Sequence, residues 1–249
     1  MSKIEKRHAV NATNKKKILM IVSNPAMLKG FPVGFYAEEF TRPFFEFIKA
    51  GHKVKLVSPK GGKVTYDLMS DPEHEQTQAP DDLITIGFNH HKEYSQLLEN
   101  TPSIQNVNVD EYDAVFLAGG GAPLITFKDD DKLHQLVSDF YEQGKFVATV
   151  CHASCLLLWT KLSNGELLAK GKTWTGFSDA EEKISDEMVG VKVFEETIES
   201  EARKIPDTTF EAAGPFEAFG IRDGRLITGQ QQQSSFFVAA MLLDALSEN

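Results

Sequence analysis

The sequence predicts a doubly wound α/β domain, a parallel sheet covered by helices on both faces, and three observations carry that prediction. Short apolar, β-branched runs alternate with longer amphipathic ones along the chain. The short runs are continuously apolar rather than alternating, as buried parallel strands are. The glycine- and cysteine-bearing motifs fall just after predicted strands, where open α/β sheets bind ligands.

The predicted strands are ILMIVS (18–23), VKLVSP (54–59), AVFLAG (114–119), FVATV (146–150), TWTGF (173–177) and RLITG (225–229). Helical spacing runs through AEEFTRPFFEFIKA (37–50), DKLHQLVSDFYEQG (131–144), ASCLLLWTKL (153–162) and SSFFVAAMLLDALS (234–247). The stretch at about 61–109 is polar and proline-bearing and reads as an excursion between strands. The run QQQQ at 230–233 is too short to mean more than a loop entering the last helix.

With 249 residues, 41% of them apolar, the chain is long enough for one domain with a sizeable core. Residues 1–16, MSKIEKRHAVNATNKK, read as a disordered basic tail, leaving a single domain over 17–249. No run approaches the length of a membrane span and the start lacks the apolar stretch of a secretory signal, so a cytoplasmic protein is expected. A net charge of −10 with scattered basic residues argues against nucleic acid as a partner. Two cysteines, Cys151 and Cys155, do not make a disulfide framework.

Cys151 stands between the strand FVATV and a predicted helix, at a sharp strand-turn-helix elbow that holds a nucleophile over the end of a sheet. A helix amino terminus favours a thiolate, so a depressed thiol pKa is expected, and Cys155, one helical turn on, is expected to be core. Gly119, Gly120 and Gly121 leave the neighbouring strand end without side chains, and their N–H groups, with that of His152, suit an oxyanion hole. His152, beside the thiol, is a candidate acid-base group. Adjacent His90 and His91 lack a third spaced ligand, so no metal is expected. No nucleotide-binding glycine motif fits, and no cofactor is expected.

The stretches GFYAEEFTRPF, LAGGGAP, VCHASCLLL, TGFSDAEE and LITGQQQQSS resemble the DJ-one/PfpI superfamily, closest to its heat-shock chaperone and glyoxalase III-like branch. The resemblance covers nearly the whole chain from Ile18. It implies a flavodoxin-like, glutamine-amidotransferase-like fold with a nucleophile elbow and a Cys-His pair at Cys151 and His152. It also implies a glutamate from the loop after the first strand. The branch spacing of Gly, Glu and Pro falls on Gly34, Glu39 and Pro43, selecting Glu39 over Glu38. The acid that orients His152 falls on Glu182, ahead of Asp179 and Glu181. Gly121 stands where the branch usually has a histidine, and Ala153-Ser154 where it has Gly-Pro.

The implied activity is a lyase reaction, glutathione-independent conversion of methylglyoxal and water to lactate through a Cys151 hemithioacetal. A small reactive aldehyde is then the substrate, a homodimer the expected assembly, and stress protection the role. Two other readings are a holdase-type chaperone using the Phe-rich segments 31–48 and 236–242, and a cysteine-dependent peptidase or amidase.

Overall fold

The computed structural model describes residues 15–248. Residues 1–14 of the expected basic tail lie outside the described residues, whereas Lys16 already donates its backbone N–H to His52 Nδ1 at 3.2 Å. The chain begins with β1 (Lys17–Ile21), a hairpin of β2 (Ala26–Leu28) and β3 (Phe31–Val33), α1 (Ala37–Lys49) and β4 (Lys53–Val57). Helices α2 (Leu83–His90) and α3 (Lys92–Glu99) follow, then β5 (Ala114–Leu117), the short α4 (Pro123–Thr126), α5 (Asp131–Glu142) and β6 (Phe146–Val150). A 3-10 helix spans Cys151–Leu158. After it come β7 (Thr173–Trp174), α6 (Asp179–Val189), α7 (Ile198–Ala202), β8 (Thr209–Phe210), β9 (Gly220–Asp223), β10 (Leu226–Gly229) and α8 (Ser235–Ser247).

The central sheet has the order β4-β1-β5-β6-β10-β9, parallel except for the edge strand β9. This is the expected flavodoxin-like arrangement. All residues of β5, β6 and β10 are buried, which requires cover on both faces of the sheet. Helix α8 packs on β6 and β10 and against α1, while α5 packs on β5 and β6.

Strand order reverses at β1, which lies between β4 and β5, and this opens a crevice at the carboxyl ends of β1 and β5. Leu117 pairs with Thr149, so the glycines after β5 and Cys151 after β6 leave the sheet at the same level. That register, set by buried apolar strands, is what brings the two motifs together.

Three expectations are corrected. TWTGF does not join the central sheet; only Thr173 and Trp174 are extended, pairing with Thr209 and Phe210 in a separate two-stranded sheet. The chain leaves the ladder there because the N–H of Thr175 goes to the Thr228 hydroxyl (2.9 Å). ASCLLLWTKL is not an α-helix but the second part of the 3-10 helix, ending at Leu158. Gln230 and Gln231 are not a plain loop: both are fully buried and hydrogen-bonded. Strand β9, absent from the sequence reading, forms a hairpin with β10 over Gly224-Arg225, where Gly224 takes φ +61° at the first turn position.

The polar excursion folds onto the core through aromatic rings. Asp82 accepts the N–H groups of Ile84 and Thr85 and starts α2. Phe88 of α2 then packs edge-on against Phe40 and Phe44 of α1, at centroid distances of 5.2 and 5.3 Å. Phe35, Phe40, Phe44 and Phe47 are buried, whereas Phe31, Phe236 and Phe237 are exposed. The phenylalanines of segment 31–48 are therefore mostly core, whereas both phenylalanines of segment 236–242 lie at the surface. No helix among the described residues is long and apolar enough to cross a membrane.

Phe88→Ala should lower the unfolding free energy by about 3–5 kcal/mol in urea denaturation, because its ring is fully buried among aromatic partners. Phe45→Ala, half-buried at the rim of the same cluster, should cost less than half as much. Equal losses would contradict the packing described.

Candidate active site

Cys151 has φ +59°, a left-handed backbone value uncommon for a residue with a side chain. It is the pivot between the buried strand β6 and the 3-10 helix, whose preceding residue, Val150, provides no side-chain cap. The first N–H groups of this turn are thus left for other acceptors. The N–H groups of His152 and Gly120 point at the Cys151 sulfur.

Gly120 cannot be replaced at this approach. Its φ is +104°, and a Cβ there would lie 2.4 Å from the Tyr36 nitrogen. Gly119 has a different part from the one expected: its N–H donates to Glu39 Oε2 at 2.7 Å, so it anchors the carboxyl group rather than facing a substrate oxygen. Gly121 donates to Asp67 Oδ2 at 2.7 Å, and a Cβ on it would touch Val33 at 3.2 Å.

Glu39 lies in the first turn of α1, fully buried, and interacts directly with the Cys151 thiol. Its second oxygen, Oε1, is buried without a hydrogen-bond partner. Pro43, four residues on, has no N–H to return to the Glu39 carbonyl, so the sequence spacing marks a locally loosened turn. Glu38 points elsewhere, in an ion pair with Arg42 at 2.9 Å.

Burial pushes the Glu39 carboxyl well above its usual range; hydrogen bonds from the thiol and Gly119 pull it back, and the charges of Asp67 and Glu38 push it further up. The thiol is likewise raised, by burial first and by Glu39 next, against the pull of the Gly120 and His152 N–H groups. The expected depressed thiol is thereby corrected. A short 3-10 turn with two N–H donors does not offset the loss of water and a carboxylate in contact. Cys151 and Glu39 titrate as a pair that keeps a proton between them.

His152 Nδ1 lies 3.5 Å from Cys151 Sγ, and Nε2 lies 2.9 Å from Glu182 Oε1. Phe177 and Phe194 flank the imidazole, with centroids 4.3 and 5.4 Å away. Glu181 is committed to structure: it completes a capping box with Ser178 and accepts from the Phe216 N–H and from Gln230 Nε2. Asp179 accepts from the Thr197 hydroxyl, away from the imidazole. The geometry therefore brings Cys151, His152, Glu39, Glu182 and Gly120 together.

Other candidates lie apart. Cys155 is fully buried, and burial raises its thiol. His90 bonds Glu73 at 2.8 Å and His91 stacks on Tyr94, and no group of three metal-ligating side chains occurs among the described residues. A groove of about 530 Å³, lined by Lys128, Trp159, Phe194 and Lys204 among others, touches the site only through Phe194. Asp67 was missed in the sequence because nothing in a polar, proline-bearing stretch distinguishes one aspartate from its neighbours. Gln230 was hidden within a glutamine run.

Because the folded pKa of Glu39 is raised, folding favours its protonated form. That stabilisation is complete below the unfolded carboxyl range and is lost as pH rises through the raised value. Glu39→Gln, permanently neutral, escapes the loss. Its melting temperature relative to the native protein should climb as pH rises from the ordinary carboxyl range toward the raised value, and a constant difference would contradict the assigned burial.

The chain is similar to known proteins. Glutathione-independent glyoxalase HSP31 of Saccharomyces cerevisiae is 30% identical over 222 residues, covering 87% of this chain and 91% of its own. Glyoxalase 3 of Candida albicans is 27% identical, with 88% and 92% covered. The solved structure of glyoxalase III from Candida albicans superposes with a TM-score of 0.77 at 26% identity, covering 92% and 97%. Rapid Encystment Protein 24 KDa of Francisella tularensis gives a TM-score of 0.83 at 25% identity, covering 93% and 99%. The model of the DJ-1/PfpI family matches residues 31–244, and with the sheet order and the cysteine elbow described above, the chain belongs to that family.

Proposed function

We propose that this protein is a glutathione-independent glyoxalase that converts methylglyoxal and water to lactate, with Cys151 as nucleophile. The observation that carries the reading is the buried Cys151 thiol in direct contact with the Glu39 carboxyl group, which has no room in water and one oxygen without a partner. The relatives named glyoxalase supply the substrate class.

Cys151 sulfur adds to the aldehyde carbon, and the thiol proton passes to the carbonyl oxygen, giving a hemithioacetal. As the carbon–sulfur bond forms, negative charge builds on the carbonyl oxygen, and the Gly120 and His152 N–H groups turn from sulfur to that oxygen until the proton reaches it. Glu39, as the carboxylate, takes the proton from the former aldehyde carbon to give an enediolate, the hydroxyl proton shifts to the neighbouring oxygen, and Glu39 returns its proton to the adjacent carbon. The product is a lactyl thioester. Water, deprotonated by His152 while Glu182 holds the imidazole, hydrolyses it, and the thiol regains its proton. A raised pKa suits this sequence: a carboxyl group that holds its proton more tightly than an ordinary glutamate is the stronger base once ionised.

Purified protein given methylglyoxal without glutathione should make lactate, and Cys151→Ala should abolish this while circular dichroism stays unchanged. Cys155→Ala should retain most activity. Comparable losses in both variants would assign the effect to packing.

Glu39→Gln should lower the rate by on the order of 10² to 10⁴, yet still accumulate the adduct of methylglyoxal on Cys151 by mass spectrometry. Glu38→Gln should behave like the native protein. Full activity in Glu39→Gln would remove the proton shuttle from the account.

A further inference from the structure

We propose that the turn Asp67–Ser70, in the polar excursion between β4 and β5, clamps the two halves of the site, with Asp67 as its positioning residue. The inference rests on the glyoxalase reading only for what the aligned groups go on to do.

Asp67 Oδ1 accepts the N–H of Gly34 (2.8 Å), in the loop that leads into α1, and Oδ2 accepts the N–H of Gly121 (2.7 Å), in the loop after β5. One carboxylate thus spans the crevice at which strand order reverses. The same turn grips the first loop through its backbone, since Asp67 N–H donates to the Phe35 carbonyl at 2.9 Å. Ser70 extends the grip. Its hydroxyl donates to the Asp67 carbonyl and accepts the N–H of Ala37, the first residue of the helix that carries Glu39. Both elements facing Cys151, the Gly119–Gly121 loop and the start of α1, are therefore tied to one four-residue turn.

Packing shows how closely the clamp meets the reacting groups. A Cβ on Gly120 would lie 2.7 Å from Asp67 Oδ2, so the carboxylate presses on the residue whose N–H points at sulfur. The two oxygens of Asp67 are held by backbone N–H groups. Such N–H bonds to a carboxylate are short, directional and strong, which fits them for setting position. Asn in its place offers only one accepting oxygen and would set an NH₂ group against one of the two N–H donors.

Removing the carboxylate acts on the thiol twice. The Gly120 N–H loses its aim at sulfur. With the Asp67 charge gone, Glu39 ionises more easily and its charge opposes the thiolate. The groups that face Glu39 are Cys151, Gly119, Asp67, Glu38 and Tyr36, and those that bear on the thiol are Glu39, Gly120, His152 and Tyr36. Both effects move the thiol toward the protonated form.

The test is the pH dependence of Cys151 alkylation by iodoacetamide in Asp67→Asn and Asp67→Ala, read by mass spectrometry, alongside kcat and KM for lactate formation. The midpoint should rise by about half a pH unit or more, and kcat should fall about tenfold or more while KM changes less than about threefold. An unchanged midpoint and kcat in folded Asp67→Asn would overturn the clamp. Alkylation reads the thiol whatever the substrate, so a raised midpoint in a protein that makes no lactate would refute the glyoxalase reading and leave the clamp standing. Should neither variant fold, amide exchange in the native protein decides: slow exchange at Gly34 and Gly121 supports the two N–H bonds, and fast exchange at both overturns them.

Discussion

The contact between the Cys151 thiol and the Glu39 carboxyl group is the constraint around which the rest of the structure is arranged. Two ionisable groups, a carboxyl and a thiol, are placed together where there is little water to solvate either charge. The pair holds its proton because neither charge is solvated, and every neighbouring group adjusts that balance. Gly119 steadies one carboxyl oxygen, Gly120 and His152 steady the sulfur, and Asp67 opposes ionisation of Glu39. Two buried charges side by side would cost several kcal/mol, so a proton shared by the pair limits it to one charge, which the Gly119, Gly120 and His152 N–H groups face.

The fold supplies the contact through features far from it. Apolar strands fix the register that sets the glycine loop beside the elbow, and the left-handed backbone at Cys151 turns its side chain back over the sheet end. Helix α1 is held down by Phe40, Phe44 and Phe47 along one face, which fixes Glu39 inside. Strain at the elbow is offset by the fully buried strand on one side and the buried 3-10 helix on the other.

Much of this was legible in the sequence, for identifiable reasons. Continuous apolar runs revealed the five parallel strands of the central sheet but not its antiparallel edge β9, and Cys151, His152 and the glycines could be placed because each follows such a run. Glu39 was separable from Glu38 only through the spacing to Gly34 and Pro43, and the burial of one beside the Arg42 ion pair of the other gives that spacing a physical meaning. Contacts that depend on distant chain segments stayed hidden. Asp67 meets Gly121 across 54 positions and Gln230 meets Glu181 across 49, and neither pairing leaves a local pattern. The thiol pKa was misjudged for a related reason: the sequence shows a helix start after the cysteine, whereas burial and a carboxyl group from another element dominate its energy.

Carbon-13 NMR titration of the Glu39 side-chain carboxyl tests the central claim most directly, since it reads the proton on the group itself without a substrate. The account predicts that Glu39 stays protonated well above the ordinary glutamate value of about 4.3, with its resonance changing only where Cys151 becomes reactive toward alkylation. A carboxyl group that titrates at the ordinary value, independently of Cys151, would contradict it.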